Sequence, residues 1–590
     1  MSNRAAYLRA AEHLRGNSGQ WQAYESVGHC VVLAGPGSGK TRTLTTKMAR
    51  MLAEDVPEPR GIACITYNNE CARELEDRLA ALGVEPGRRA FVGTIHSFSL
   101  TQIILPYAKV SGMDLPDEFR VASRTERAEV MKATLTGLSN QREWESRLSA
   151  YRRSHLDRAS DAWRENDPTV ASLVEDFESR LRRRGLIDFE DMPLLAVRAL
   201  RAHPWLQSAL LAKYPVLVVD EYQDLGVALH QMVMGLCFST GMRLFAVGDV
   251  DQSIYSFTGA RPDLLEKLAG RDDVETVALR LNYRCGNRIV VASRAALGES
   301  REYEAIAGAA QGAVHIHSLS GDYARHADEL MAALLPAALA RNSELNYGDV
   351  AVLYPFAWMG DAVAEKAKAL GIGFLRTDSK ALYPRSSRLM QWIELCAQWC
   401  CGGWRTGAPR FSKIADQGRR TFSEVLNSEE TCVDFQKRLI GYLWARRSPG
   451  LRLHDWLNDL VAEVIEPLAD ECMSLHDELE ILAMFMARVA PDGDSCEMEL
   501  GSLAGDGGQL NRLTLSSLHS AKGREFGLVF MFGLDARYFP HPRADASEML
   551  EARRLFYVGF TRAKSEVHLI HPREAASRFV GHIRSHLEQA

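Results

Sequence analysis

The chain lacks any apolar run of the about 18 residues that a membrane helix needs. Its first 19 residues mix arginines with alanines and have no apolar centre of the kind a secretory signal carries. A cytoplasmic protein without a membrane partner is therefore expected. Cysteine is sparse and unpatterned: there are eleven, an odd number, and Cys64, Cys71 and Cys237 fall in apolar or helical patterns that read as reduced thiols. The grouping of Cys396, Cys400, Cys401 and Cys432 lacks the C-x-x-C pairing usual for zinc or iron-sulfur ligands. Internal repeats and low-complexity tracts are missing, and no nuclease signature is found, so any cutting would need another protein. A basic excess is missing too. The net charge of -6 and a pI near 6.3 argue against a wholly basic nucleic-acid coat, while leaving room for a local positive groove.

What is present is 590 residues of ordinary globular composition, 46% apolar and 25% charged, enough for three or four domains. CVVLAG at 30, IACITY at 62, VLVVDE at 216 and RLFAVGD at 243 read as buried parallel strands of one sheet. VHIHSL at 314, VAVLYP at 350, LTLSSLH at 513, LVFMFG at 528 and VHLIH at 567 read as a second. Residues 99–185 and 379–507 show helical periodicity without strand signals, as in AEVMKATLTGL and RLMQWIELCAQW. The expected fold is α/β, with two parallel-sheet cores each interrupted by a helical insertion. The first core takes residues 1–98 and 186–285 around the insertion 99–185. The second takes 286–378 and 508–590 around the insertion 379–507.

AGPGSGKT at 34–41 follows the first strand. Gly35, Gly37, Ser38 and Gly39 let backbone N–H groups turn inward around phosphate oxygens, with Ala34 where a glycine is usual. Lys40 can reach the β and γ phosphates and Thr41 can ligate magnesium. In VLVVDEYQD an apolar strand delivers Asp220 and Glu221 to its exposed end. Asp220 can hold magnesium through water, and Glu221 can orient and deprotonate an attacking water.

AGPGSGKT, DEYQD, VGDVDQSIYSFTGA, LNYRC, SLHSAKGREF and RLFYVGFTRAK, in that order, resemble the motif series of the UvrD/Rep/PcrA family of superfamily 1 DNA helicases, from Gln20 to about Pro572. The resemblance implies two RecA-like cores with ATP and Mg2+ between them. It implies that Gln20 reads the adenine edge, Arg42 and Tyr283 sandwich the base, Glu525 contacts the ribose and Gln252 senses the γ-phosphate. Arg284 and Arg562 resemble the two arginine fingers. Tyr67, Asn68, Thr94, His96, Tyr255, Phe257 and His519 match positions that line a single-strand track, where aromatic faces stack on any base.

Several departures subtract positive charge. Phe257 stands where tryptophan is frequent, Thr258 replaces a common arginine, NNE at 68–70 replaces NKA, and PFAWMGD after VAVLY lacks the usual arginine. Weaker or altered strand binding is expected. LGVALHQ after DEYQD leaves a helix start without a polar cap. In the second insertion Arg405, Arg410, Lys413, Arg419 and Arg420 among others point to contact with duplex or a partner. The resemblance implies an ATP-driven 3′ to 5′ translocase and helicase on single-stranded or tailed duplex DNA. The alternative is an ATP-regulated DNA-sensing subunit that controls a partner such as a nuclease; an RNA motor is resisted only by the resemblance.

Overall fold

The computed structural model describes residues 2–589 apart from 85–88, 156, 157, 159, 300, 470, 471, 473, 474, 494 and 506–510. It is built on two six-stranded sheets. The first holds β1 (His29–Ala34), β2 (Ile62–Thr66), β3 (Ala90–Thr94), β4 (Val216–Val219), β5 (Arg243–Gly248) and β6 (Val274–Leu279), in the order β3-β2-β4-β5-β1-β6. The second holds β7 (Ala313–Leu319), β8 (Val350–Tyr354), β9 (Phe374–Arg376), β10 (Leu513–Ser517), β11 (Phe526–Met531) and β12 (Ala563–Pro572), in the order β7-β12-β11-β8-β10-β9. Every pairing in both sheets is parallel. The fold is therefore α/β with two parallel-sheet cores, as expected from the apolar runs.

Central strands are buried on both faces, which is why IACIT and VLVV are continuously apolar. The strands that the apolar runs did not announce, β3, β6 and β9, are all at sheet edges. VETVAL in β6 alternates between buried and exposed positions, and AFVGT in β3 carries a glycine, so neither makes an apolar run. Because all strands are parallel, the loops after β1, β4 and β5 open at one edge of the first sheet.

The segments between β3 and β4 and between β9 and β10 are helical, with their own apolar clusters. Trp163, Phe177, Leu148 and Val174 centre the first; Trp392, Trp456, Phe435 and Leu439 centre the second. In the helix Arg388–Gln398, Leu389, Trp392, Ile393 and Cys396 are buried on one face, and the Ser387 side chain caps its first turn. Cys400 packs in the same cluster and its Sγ contacts the Leu443 carbonyl. All eleven cysteines are free thiols.

Polar contacts set where the helical bodies lie. Arg152, buried at the end of the helix Gln141–Ser154, donates to both carboxylate oxygens of Asp188 (2.8 and 2.9 Å), to Asp191 (2.9 Å) and to Glu178 (3.0 Å). This network pins the first helical body to the strand-and-turn segment that returns to the first sheet. The second body reaches across: Arg420 pairs with Glu76 (3.4 Å) and Asp77 (3.2 Å) on the helix Asn69–Ala81. The Glu480 carboxylate accepts the backbone N–H groups of Arg124 and Thr125. Arg420 is thus paired with acidic side chains of the first core. Arg446 is likewise engaged by Asp459 and Glu463, and Arg447 stacks on Trp444.

Removing one partner from a buried ion network leaves an uncompensated charge, at a cost of about 3–5 kcal/mol. Asp188→Ala should therefore loosen residues 141–187 selectively. Hydrogen exchange should report lost protection there, with the strands β1, β4 and β5 unchanged.

Candidate functional site

The glycine loop leaves β1 with left-handed backbone at Gly37 (φ 67) and Gly39 (φ 81). Space forbids side chains as well. A Cβ at Gly35 would meet the Tyr303 ring at 2.4 Å, one at Gly37 the Asn282 amide at 2.7 Å, and one at Gly39 the Gln20 amide at 2.5 Å. Gln20 Nε2 donates to the Ser38 carbonyl (2.9 Å), and Asn282 Nδ2 to the Pro36 carbonyl (2.8 Å), so side chains outside the loop hold its carbonyls.

Lys40, Asp220, Glu221 and Asp249 meet beneath the loop. Lys40 Nζ lies 3.5 Å from Glu221 and makes no hydrogen bond. Burial alone would lower its pKa, but Glu221, Asp249 and Asp220 together raise it, so the ammonium is fixed. Burial, then the neighbouring Glu221 charge, pushes Asp220 up to about 7. Glu221 goes the other way, to about 2, because Lys40 and Lys522 outweigh its burial. Its backbone is left-handed (φ 51), a costly conformation for a non-glycine residue. The turn aims the carboxylate back at Lys40.

The second core supplies the remaining cations. Lys522 donates to the buried Asp224 and to the Gln252 carbonyl (2.8 Å), and lies 4.0 Å from Glu221. Arg562 is buried, donates to Gln252 Oε1 (3.3 Å) and to the Val558 carbonyl (2.9 Å), and is lowered to about 9 by burial and by Arg284. Gln252 Nε2 in turn donates to Asp249. Arg284 donates to Glu525 (2.7 Å), which also pairs with Lys564 (3.1 Å). Two residues expected to make separate nucleotide contacts, Arg284 and Glu525, are thus tied to each other. Tyr283 is 40% exposed and accepts a hydrogen bond from Asn17 (3.1 Å). Arg42 and Thr41 lie half-buried in the first turns of the helix Lys40–Arg50.

Among the described residues four buried polar atoms here have no hydrogen-bond partner: Gln20 Oε1, Lys40 Nζ, Asp220 Oδ1 and Asp224 Oδ1. Orphaned donors and acceptors beside a glycine loop of this sequence fit a nucleotide phosphate with a divalent ion. Thr41 and Asp220 are the residues positioned to hold the ion.

A cavity of about 1850 Å³ runs between the first sheet and both helical bodies. Tyr67, Asn68, Thr94 and His96 line it, with Arg153 from the first helical body and Arg410, Lys413 and Arg420 from the second. Asn68 and Thr94 spend their side-chain oxygens capping helices, on the N–H groups of Cys71 (2.8 Å) and Ser97 (3.2 Å). Tyr67 stacks on Tyr255 at 4.6 Å, and His96 on Phe189 at 3.8 Å. Burial lowers His96 to about 3, so it presents a neutral face. His519 is half-buried and lies outside the cavity lining, facing the charge of Glu551. Ser256–Thr258 form one helical turn; the Phe257 side chain lies outside the described residues. Sequence reading missed Phe189, 49% exposed, whose only signal is an aromatic just after the strand that ends the first helical body, in LIDFED. It also left Lys522, Asp224 and Asp249 unassigned although all lie within the quoted motifs. The helix Val227–Val233 starts at Gly226 without a side-chain cap, as LGVALHQ implied.

Comparison with known proteins decides the family. Residues 16–272 match the UvrD/REP helicase N-terminal domain and residues 494–574 the UvrD-like helicase C-terminal domain. The chain belongs to the UvrD/Rep helicase family. It is similar to the ATP-dependent DNA helicase Rep of Escherichia coli (26% identity, covering 94% of this chain and 90% of Rep). It is also similar to UvrD1 of Mycobacterium tuberculosis (26%, 91% and 80%) and PcrA of Staphylococcus aureus (24%, 94% and 83%). The matched N-terminal domain contains the glycine loop, Asp220, Glu221 and Gln252, and the C-terminal domain contains Lys522, Glu525 and Arg562.

A buried carboxylate left with one oxygen unpartnered, such as Asp220, destabilises the protein until a ligand meets it. Asp220→Asn should raise the unfolding midpoint of the nucleotide-free protein, a gain on the order of 1–2 kcal/mol. The same variant should lose the further rise that ATP with magnesium gives the wild type. Differential scanning fluorimetry with and without the nucleotide checks both.

Proposed function

We propose that the chain is an ATP-dependent translocase and helicase moving 3′ to 5′ on single-stranded DNA, coupling hydrolysis between two RecA-like cores to strand movement. The observation that carries this reading is Lys522. One second-core ammonium binds Asp224 and the Gln252 carbonyl at the nucleotide site and lies 5.1 Å from the ring of Tyr255, which stacks on Tyr67 at the wall of the strand channel. A change at either site therefore moves the same side chain.

In this reading Lys40 and the loop N–H groups hold the β and γ phosphates. Thr41 and Asp220 would hold a magnesium ion, which would supply positive charge against the phosphates. Glu221, ionised and aimed by its left-handed turn, orients the water and takes its proton. Arg284, at the end of the first core, and Arg562, from the second, stabilise charge on the transferring group, and Arg562 does so only when the second core is closed on the first. Nucleotide entry must break the Arg284–Glu525 pair, freeing the guanidinium for phosphate and the carboxylate for the ribose. DNA follows the cavity, its bases stacking on Tyr67, Tyr255, His96 and Phe189.

A second reading is favoured by one feature. Where the family resemblance leads to an arginine after β8, this chain exposes Phe356 and Trp358. A weaker grip suits an ATP-regulated DNA-sensing subunit that controls a partner such as a nuclease.

Turnover should be low alone and rise strongly with single-stranded DNA, and more with DNA than with RNA; equal turnover with and without DNA would contradict the motor reading. Lys40→Ala should cost roughly 10²-fold or more in turnover, and Arg562→Ala roughly 10³-fold or more. Phe189→Ala should weaken single-strand binding by about 1–3 kcal/mol while leaving DNA-free turnover unchanged. Strand displacement on a 3′-tailed duplex separates the two readings. If wild type hydrolyses ATP in response to DNA yet displaces nothing, the sensor reading stands in its place.

A further inference from the structure

We propose that the exposed edge of the second sheet carries a divalent transition-metal site of the zinc class, formed by His315, Glu566 and His568. Among the described residues it is the place where three such donor atoms come within 4.8 Å of one another. It lies away from the nucleotide loop and the strand channel. β7 is the edge strand, and its register sets His315 opposite His568, while Glu566 sits opposite Ala313. Alternation along the strands puts His315, His317, Glu566 and His568 on one face of the sheet.

The spacing suits a tetrahedral ion. Bonds of about 2.0–2.2 Å place neighbouring donors about 3.3 Å apart. His315 Nε2 lies 3.4 Å and His568 Nε2 3.0 Å from Glu566 Oε2. His315 Nε2 is buried and has no hydrogen-bond partner. Two imidazoles and one carboxylate leave a fourth position for water, and His315, about one-third exposed, marks the way in.

The surroundings orient the ligands as they do around metals. His317 Nε2 lies 3.0 Å from His568 Nδ1. Once His568 Nε2 is a ligand, its proton resides on Nδ1 and is donated to His317. Asn342 Nδ2 holds Glu566 Oε1 at 2.8 Å. Arg341 bridges both carboxylate oxygens, but its side chain is 47% exposed and can turn into water when an ion takes Oε2. The ion would join the edge strand β7 to β12, the strand that begins beside Arg562.

The test is a titration of the full chain, stripped with a chelator that is then removed. Zn2+ is added against a chromophoric indicator, and Co2+ while visible d–d absorption is read. Wild type should bind one more equivalent of Zn2+ than His315→Ala. Its Co2+ form should show d–d bands without thiolate charge transfer, and the variant should lack them. His317→Phe should weaken Zn2+ about 10–100-fold, and Arg341→Gln should tighten it by removing the competing cation. Zn2+ should raise the unfolding midpoint of wild type and not of His315→Ala, with equal midpoints before addition showing that the variant is folded. Equal Zn2+ binding by wild type and folded His315→Ala would overturn the proposal, as would Co2+ spectra dominated by thiolate bands in both. Should His315→Ala fail to fold, the Arg341→Gln comparison decides: unchanged or weaker Zn2+ affinity rejects the site.

Discussion

Three buried carboxylates at one edge of the first sheet, Asp220, Asp224 and Asp249, with the half-buried Glu221 beside them, are the interaction the rest of the structure is arranged around. Burial raises Asp220, Asp224 and Asp249 against ionisation, so the edge is unstable by itself. Lys40 is the cation the first core itself sets beneath the loop; Lys522 and Arg562 come from the second. Lys522 and Arg562 therefore tie the second core to the acidic edge of the first, and in the function we propose a nucleotide redistributes that charge. Cleft closure and phosphate chemistry therefore share one set of atoms.

The channel works on another principle. Its wall presents stacked neutral rings, and His96 has lost its charge to burial. Its cations come mainly from the helical bodies, and Arg420 is already paired with Glu76 and Asp77. A strand following this cavity, as proposed, would meet both these rings and cations such as Arg73, Arg153, Arg410 and Lys413. The same ion pairs, with Glu480 on the Arg124 and Thr125 N–H groups, hold the second helical body over the channel. These contacts are partly exposed and worth little singly.

Local chemistry was legible in the sequence. Glycines at 35, 37 and 39 have no alternative where a Cβ would strike Tyr303, Asn282 or Gln20, and apolar runs must become buried parallel strands. Lys40, Asp220 and Glu221 each follow directly from such a strand, so their positions could be read by counting. Three of the four edge strands, β3, β6 and β9, escaped because their apolar pattern is short or broken, as in VETVAL. What the sequence could not express is contact between residues hundreds of positions apart. Arg284 against Glu525, Arg420 against Glu76, and His315 against Glu566 and His568 are separated by whole domains along the chain. Their side chains meet because parallel strands and inserted helices fold back across one another. By itself the sequence determined the loop, the strands and the carboxylates at their ends, since these depend on neighbours within a few residues. Only the tertiary structure decided which charge answers which, since that depends on where two separately folding sheets come to rest.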